Sequence, residues 1–203
     1  MTNQQSVDVG YFDRLFAGSE DPWAFKTRWY EVRKRALTLA SLPSPRYGRA
    51  YEPGCANGEL SAALASRCDE LLISDCADKA VALARRRVES LRNVTVVKAW
   101  VPEEWPSGVF DLIVLSELGY YLDAPSLRLF ATKARKSLRA GGALVACHWR
   151  PRIEGCELTG DQVHDVLGDE LELPRILQTT DADLRIDVWS SDDASVAHRE
   201  GLS

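Results

Sequence analysis

No apolar run in this 203-residue sequence approaches the length needed to span a bilayer. The first ten residues carry neither a basic segment nor an apolar one, which speaks against a secretory leader. Cysteine is sparse: Cys55, Cys68, Cys76, Cys147 and Cys156 are odd in number and form no C-x-x-C pair. They read as reduced thiols of a cytoplasmic protein, with no disulfide framework and no zinc site. Three histidines are present, and no Ser-His-Asp order or metal-spaced cluster includes them, so no metal is expected. A P-loop, G-x-x-x-x-G-K-S/T, is missing, as are internal repeats and low-complexity segments. Positive charge is in deficit, with 25 Lys and Arg against 30 Asp and Glu for a net charge of −5. That balance argues against DNA or RNA as a partner and suits a cationic ligand or an amine better.

What is present is an ordinary globular composition, 45% hydrophobic and 27% charged, which suits one domain with a sizeable core. Residues 1–10 are expected to be disordered. Tyr11, Phe12, Leu15 and Phe16 then fall at helical spacing up to Gly18. A longer helix is predicted with Trp29, Val32, Ala36 and Leu39 on its buried face, ending before Pro43 and Pro45. Seven aromatic residues crowd between Tyr11 and Tyr30. They read as pins that hold two helices on the core, with Trp23 and Tyr30 as candidates for a lid over a flat or cationic ligand.

Beyond residue 43 apolar runs alternate with helical patterns. Segments 49–52, 71–74, 94–98, 110–117 and 143–148 read as parallel strands, the fourth continuous enough to be buried on both faces. Leu127, Phe130, Ala134 and Leu138 form the stripe of one intervening helix, which Gly141-Gly142 is predicted to close. Arg85-Arg86-Arg87 reads as a solvated helix face, and Glu103, Glu104 and Trp105 as a solvated loop. Thr159 and Gln162 make a capping box, and segments 171–179 and 184–190 read as an antiparallel hairpin. The expected fold is α/β: a single Rossmann-like domain with a mostly parallel seven-stranded sheet. It comprises an N-terminal helical lid (1–42), a βα core (43–150) and a C-terminal hairpin region (151–203).

The stretch Tyr51-Glu52-Pro53-Gly54-Cys55-Ala56-Asn57-Gly58-Glu59 links the first strand to a helix through a glycine turn. Such a turn sets a nucleotide-like ligand at a strand's C-terminal end. Asp75 closes the next strand, twenty-one residues after Gly54. A dinucleotide would need G-x-G-x-x-G, but Ala56 stands at the second glycine and Glu59 at the third, where a carboxylate repels a pyrophosphate. A phosphate-free ligand fits better. Gly54 and Gly58 allow close backbone approach, and an ionised Asp75 can accept from both hydroxyls of a ribose.

The pattern E-x-G-x-x-x-G, with an acid closing the second strand, resembles the class I S-adenosylmethionine-dependent methyltransferases. Asp21-Pro22-Trp23 with Tyr30-Glu31, Glu52-Pro53-Gly54-Cys55-Ala56, and Phe110-Asp111-Leu112-Ile113-Val114 with Glu117 and Tyr120-Tyr121-Leu122 are similar to the NodS nodulation methyltransferases over about residues 11–150. The resemblance implies S-adenosylmethionine as cofactor and S-adenosylhomocysteine as product. It further implies methyl transfer to the free amine of a deacetylated, chitin-derived oligosaccharide. The implied cofactor-binding set is Trp23, Glu52, Gly54, Ala56, Asn57, Gly58, Asp75, Cys76, Ala99, Trp100, Val101, Ser116, Glu117 and Tyr121. One departure stands out. Such enzymes often place an acid after the third strand for the adenine amine, and this chain has Ala99-Trp100-Val101, which leaves backbone contacts or ring stacking.

Methyl transfer to an amine is an in-line displacement that needs alignment and an unprotonated nucleophile; a base helps. The catalytic candidates at strand ends are Glu117, Tyr120 and His148, and one of Tyr120 and Tyr121 is expected to pack into the core. His164 and His198 read as surface residues. The expected function is N-methylation of an amino sugar or related small amine by a monomeric cytoplasmic enzyme. The alternatives are O-methylation of a small hydroxylated metabolite and a non-catalytic methyltransferase-like binding module.

Overall fold

The computed structural model describes residue 7 and residues 9–202, so the disorder expected of residues 1–10 falls mostly outside the described residues. A seven-stranded sheet forms the centre, in the order β3-β2-β1-β4-β5-β7-β6. The strands are β1 (Tyr47–Pro53), β2 (Cys68–Asp75), β3 (Val94–Lys98), β4 (Phe110–Ser116), β5 (Leu138–Trp149), β6 (Arg175–Thr180) and β7 (Leu184–Ser190). All pairings from β3 across to β5 are parallel; β7 lies antiparallel between β5 and β6. The mostly parallel sheet with an antiparallel C-terminal hairpin is therefore the fold this chain adopts.

The helices are α1 (Val9–Gly18), α2 (Trp29–Ala40), α3 (Glu59–Leu64), α4 (Asp78–Arg87), α5 (Ala124–Ser137), α6 (Gly160–Leu171) and α7 (Val196–Arg199). β4 is buried on both faces: Ile113 and Leu115 pack with Leu127, Phe130 and Leu167 of α5 and α6. Leu112 and Val114 pack on the opposite face with Leu64 of α3 and Ala84 of α4. Each such side chain contributes roughly 1.5–3 kcal/mol when fully buried. Capping fixes where the helices start. Asp123 accepts from the Ser126 amide at 2.8 Å to open α5, and the Thr159/Gln162 capping box opens α6.

The chain runs outward from β1 through β2 to β3, then returns to β4 on the other side of β1. The order reverses there, and a crevice opens beyond the C-terminal ends of β1 and β4. α1 and α2 lie against this crevice. Phe16 of α1 is buried against Ala77, Ala80 and Leu83 at the start of α4, with Trp23 edge-to-face on its ring at 5.6 Å.

Several expectations are corrected. No helix joins β3 to β4, and Trp105 in that connection is packed, with its ring edge-to-face on Tyr51 and Phe130 and Nε1 donating to Ser137 Oγ at 3.1 Å. Gly141 and Gly142 lie inside β5, whose register against β4 shifts between Phe110 and Leu112. Leu171 ends α6 and does not begin the hairpin. The largest correction concerns α2: its buried residues are Glu31, Lys34 and Thr38, while Trp29 is 73% exposed and Ala36 is exposed. Among the described residues no helix is long and apolar enough to cross a membrane.

Candidate functional site

The floor of the crevice is the turn after β1. Gly54 has φ +72°, and a Cβ there would meet the Leu118 side chain at 3.2 Å. Ala56 is left-handed too, at φ +49°, an uncommon conformation for a residue with a Cβ. That geometry points the Ala56 amide at Asp75 Oδ2, 3.0 Å away, while Asp75 Oδ1 accepts from the Ala77 amide at 3.0 Å. Burial raises the Asp75 pKa, and the two amides oppose the rise. The carboxylate is thereby fixed in orientation on the lining of the cleft.

Two further acceptors face the same space. Glu52 is buried, its Oε2 has no hydrogen-bond partner among the described residues, and burial pushes its pKa up to about 8. Asn57 donates from Nδ2 to Asp21 Oδ1 at 3.0 Å, and its buried Oδ1 is likewise without a hydrogen-bond partner among the described residues. Asp21 also accepts from the Phe25 and Lys26 amides at 2.8 and 3.1 Å, which ties the turn before α2 to the glycine loop. Aromatic rings close the walls: Trp23 packs on Phe25 at 5.3 Å, and Tyr121 on Phe12 at 5.0 Å. The cleft, open mouth included, encloses about 1190 Å³.

Ala99, Trp100 and Val101 line the cleft beyond β3. Both main-chain groups of Trp100 are engaged by Glu104, its N–H by Oε2 and its carbonyl by the Glu104 amide, each at 2.7 Å. The Trp100 amide is thus taken up within the chain, which leaves its ring and the second lone pair of its carbonyl as the ways of holding a base there.

The opposite end is charged. Glu117 follows β4 with φ +57°; its Oε2 accepts from the Tyr120 hydroxyl, and its Oε1 lies 3.3 Å from Lys34 Nζ. Lys34, 4% exposed, also lies 2.8 Å from Glu31 Oε2 and sits over the Tyr30 ring at 5.2 Å. Burial lowers the Lys34 pKa, but the charges of Glu117 and Glu31 outweigh it and the net shift is upward, so the group is an ammonium. Two carboxylates share one ammonium, and Arg35, whose charge also reaches Glu31, lines the same wall. Sequence reasoning missed Lys34. The signal available was a polar stripe at positions 31, 34 and 38, the helical spacing of one face.

The structure brings fourteen of the sixteen named candidates onto one cleft: Trp23, Glu52, Gly54, Ala56, Asn57, Asp75, Cys76, Ala99, Trp100, Val101, Ser116, Glu117, Tyr120 and Tyr121 all line it. Gly58 is not on the lining; a Cβ there would meet Ala84 Cα at 3.2 Å, so its bare backbone serves the approach of α3 to α4. His148 is placed behind the cleft, 0% exposed, with Nε2 accepting from the Gly119 amide at 3.1 Å. Its expected contact with substrate is corrected accordingly. His164, expected at the surface, is also 0% exposed, whereas His198 is exposed on α7. Of the tyrosine pair, Tyr120 is the one in the core.

A doubly wound sheet with an antiparallel edge, whose crevice offers an acid after β2 and no seat for a pyrophosphate, has the class I S-adenosylmethionine-dependent methyltransferase fold. The buried acceptors fit that ligand: a sulfonium, an α-amino group and ribose hydroxyls bring positive charge and donors, and no phosphate has to be seated. Comparison with known proteins narrows the class. The family described as Nodulation protein S (NodS) matches residues 13–162, and the chain belongs to that family. Nodulation protein S of Rhizobium tropici is 32% identical over 129 residues, 63% of this chain and 54% of that protein. Its Sinorhizobium fredii counterpart is 30% identical over 129 residues, 63% of this chain and 60% of that one. The chain thus spans little more than half the length of these curated relatives. Among solved structures, N-methyltransferase NodS from Bradyrhizobium japonicum in complex with S-adenosylhomocysteine is 25% identical, with a TM-score of 0.81 over 89% of this chain and 96% of that one. A Pseudomonas syringae protein provisionally described as a methyltransferase is 49% identical, with a TM-score of 0.73 over 80% of this chain and 99% of that one.

Proposed function

We propose that the protein transfers a methyl group from S-adenosylmethionine to the free amine of an amino sugar or a related small amine. Support for the cofactor comes from family membership and from the fixed Asp75 carboxylate beside the partnerless Glu52 and Asn57 oxygens. In this reading Asp75 accepts from the ribose, Glu52 faces the cationic end, and the aromatic walls exclude water. Bound there, the cofactor supplies an electrophilic methyl group.

The observation that carries the amine is the Glu117 carboxylate on the cleft lining just beyond β4, held by Tyr120 and Lys34. An ammonium-bearing acceptor is attracted to it, and Glu117 is positioned to take the proton that the amine must lose before it can act as nucleophile. Tyr120 orients that carboxylate by donating to Oε2. The solved NodS relative described as an N-methyltransferase agrees with an amine.

The test incubates labelled cofactor with deacetylated chitooligosaccharides and with their N-acetylated forms. Turnover confined to the deacetylated forms is expected. Equal turnover of the acetylated forms would shift the reading to a hydroxyl acceptor.

A further inference from the structure

Behind the segment from Glu117 to Tyr121 runs a chain of polar side chains that the methyl-transfer reading leaves unused. His148 on β5, His164 on α6 and Asp187 on β7 are all 0% exposed. The Gly119 amide donates to His148 Nε2 at 3.1 Å, His148 Nδ1 lies 3.0 Å from His164 Nε2, and His164 Nδ1 lies 2.8 Å from Asp187 Oδ2.

Elementary donor accounting fixes every proton in this chain. A backbone amide can only donate, so His148 Nε2 is bare and the neutral ring carries its proton on Nδ1. That proton meets His164 Nε2, which must then be bare, so His164 carries its own proton on Nδ1 and donates it to the carboxylate. Adding a proton to His148 sets an N–H against the Gly119 N–H, and adding one to His164 sets it against the His148 N–H. Burial works in the same direction, holding His148 well below the ordinary imidazole range and His164 below it in spite of Asp187.

Asp161 on α6, paired with Arg150, favours a charged His164 and is opposed by Arg185. Arg185 on β7 donates to Asp187 Oδ2 at 2.9 Å and pairs with Asp165 on α6 at 3.0 Å; Arg175 on β6 lies 3.7 Å from Asp187. Tyr120 packs edge-to-face on the His148 ring at 5.4 Å, and the Lys34 charge on α2 further disfavours a charged His148. Gly119 itself has no room to shift inward, since a Cβ there would meet Val163 Cγ1 at 2.4 Å and His148 Nε2 at 3.0 Å.

We propose that His148 is a positioning residue for methyl transfer: held in one tautomer by His164 and Asp187, it anchors the Gly119 turn and so keeps the Tyr120 hydroxyl on Glu117. The idea goes beyond the proposed amine chemistry and does not depend on which acceptor is used. It makes the geometry of the reacting end sensitive to acid while leaving the cofactor residues on β1 and β2 untouched.

Nuclear magnetic resonance of isotope-labelled histidine in the full chain reads the tautomers without any acceptor. Two buried neutral rings protonated on Nδ1 are expected at neutral pH, the opposite of the tautomer that free histidine favours. A charged buried ring, or Nε2 protonation, would overturn the proposal. In rate assays His148→Leu is expected to lower kcat about tenfold or more, while S-adenosylhomocysteine affinity stays within about twofold. His148→Gln, whose amide can accept from Gly119 and donate to His164, should restore most of that loss. It should also make the rate less sensitive than the parent's to acid below the ordinary imidazole range. A parental kcat in His148→Leu, or a His148→Gln rate no better than that of His148→Leu, would sink it. Should His148→Leu fail to fold, His164→Leu cuts the same chain one link further from the turn. An unproductive acceptor screen would count against the amine reading alone, since the tautomers are read independently.

Discussion

Two buried polar clusters flank the same short segment, and they are built on opposite plans. On the cleft side, Glu31, Lys34 and Glu117, with Arg35 beside them, set ionic groups against open space. On the far side, His148, His164 and Asp187 form a sealed chain in which each ring nitrogen meets one partner. A buried ion cluster is a poor source of stability, because desolvation can exceed the attraction and apolar replacements of the whole set are often neutral or better. Placing one on the face of α2 that an apolar stripe would ordinarily occupy makes sense when that face meets a charged ligand. The sealed chain has no such outlet, and its fixed protonation suits it to holding a backbone in place. Openness separates a group that acts on something else from a group that holds its neighbours.

The comparison is tested most severely on the cofactor side. Asp75→Ala removes an acceptor whose hydrogen bonds to two hydroxyls would contribute roughly 1.5–3 kcal/mol each, so S-adenosylhomocysteine should bind on the order of a hundredfold more weakly. Isothermal titration measures this directly. Unchanged affinity would reduce Asp75 to a structural tie for the Ala56 and Ala77 amides.

Next in size is Lys34→Met, which leaves two carboxylates without their shared cation. Breaking a buried pair by removing one partner costs about 3 kcal/mol or more. The cost should depend on pH. Burial already raises the Glu31 pKa against the opposing charge of Lys34, and deleting that charge raises it further. The variant's deficit is therefore largest where Glu31 is ionised, and it shrinks as the pH falls and the carboxyl takes up a proton. Urea unfolding of both proteins at mildly alkaline and mildly acidic pH measures it. A deficit that stays constant with pH would assign Lys34 to packing over Tyr30 and Phe25.

A smaller effect per pH unit is expected at Glu52. Its folded-state pKa of about 8 lies above the ordinary carboxylate value, so its contribution to stability is complete below that ordinary value and is lost as the pH rises through about 8. Without cofactor, Glu52→Gln should therefore match the parent below the ordinary carboxylate value and gain on it by about 1.4 kcal/mol for each pH unit from there toward about 8. Thermal melts across that range measure the gap. A gap independent of pH would show that Glu52 ionises freely in the crevice.

The strands, the glycine turn and Asp75 were legible in the sequence because each is encoded locally, by a run of apolar residues or by a fixed spacing. The strand order, which sets the switch point between β1 and β4, was not among the expectations. The sealed chain was not legible, because His148, His164 and Asp187 sit on three elements, 16 and 23 residues apart along the chain, and meet through the antiparallel turn-back of β7. Trp105 was misplaced for a related reason: an aromatic residue in a charged loop carries no period, and only the fold brings it to Phe130 and Ser137. α2 failed differently. The rule that apolar faces are buried was applied to a helix whose inner face lines the cleft, and it selected the wrong side.

That failure supplies the smallest expected effect and a sharp check on the whole arrangement. Trp29 is 73% exposed, so Trp29→Ser should change the unfolding free energy by no more than about 0.5 kcal/mol. Its neighbour Tyr30 packs edge-to-face on Trp149 at 5.1 Å, and Tyr30→Ala should cost several times as much. The pair reads the rotation of α2 about its own axis, because adjacent helix positions point about 100° apart. If Trp29→Ser instead cost about 3 kcal/mol, as a buried aromatic does, α2 would have to be turned so that Trp29 faced the core. Lys34 would then leave the cleft, and the ion pair that holds Glu117, on which the proposed amine chemistry depends, would go with it.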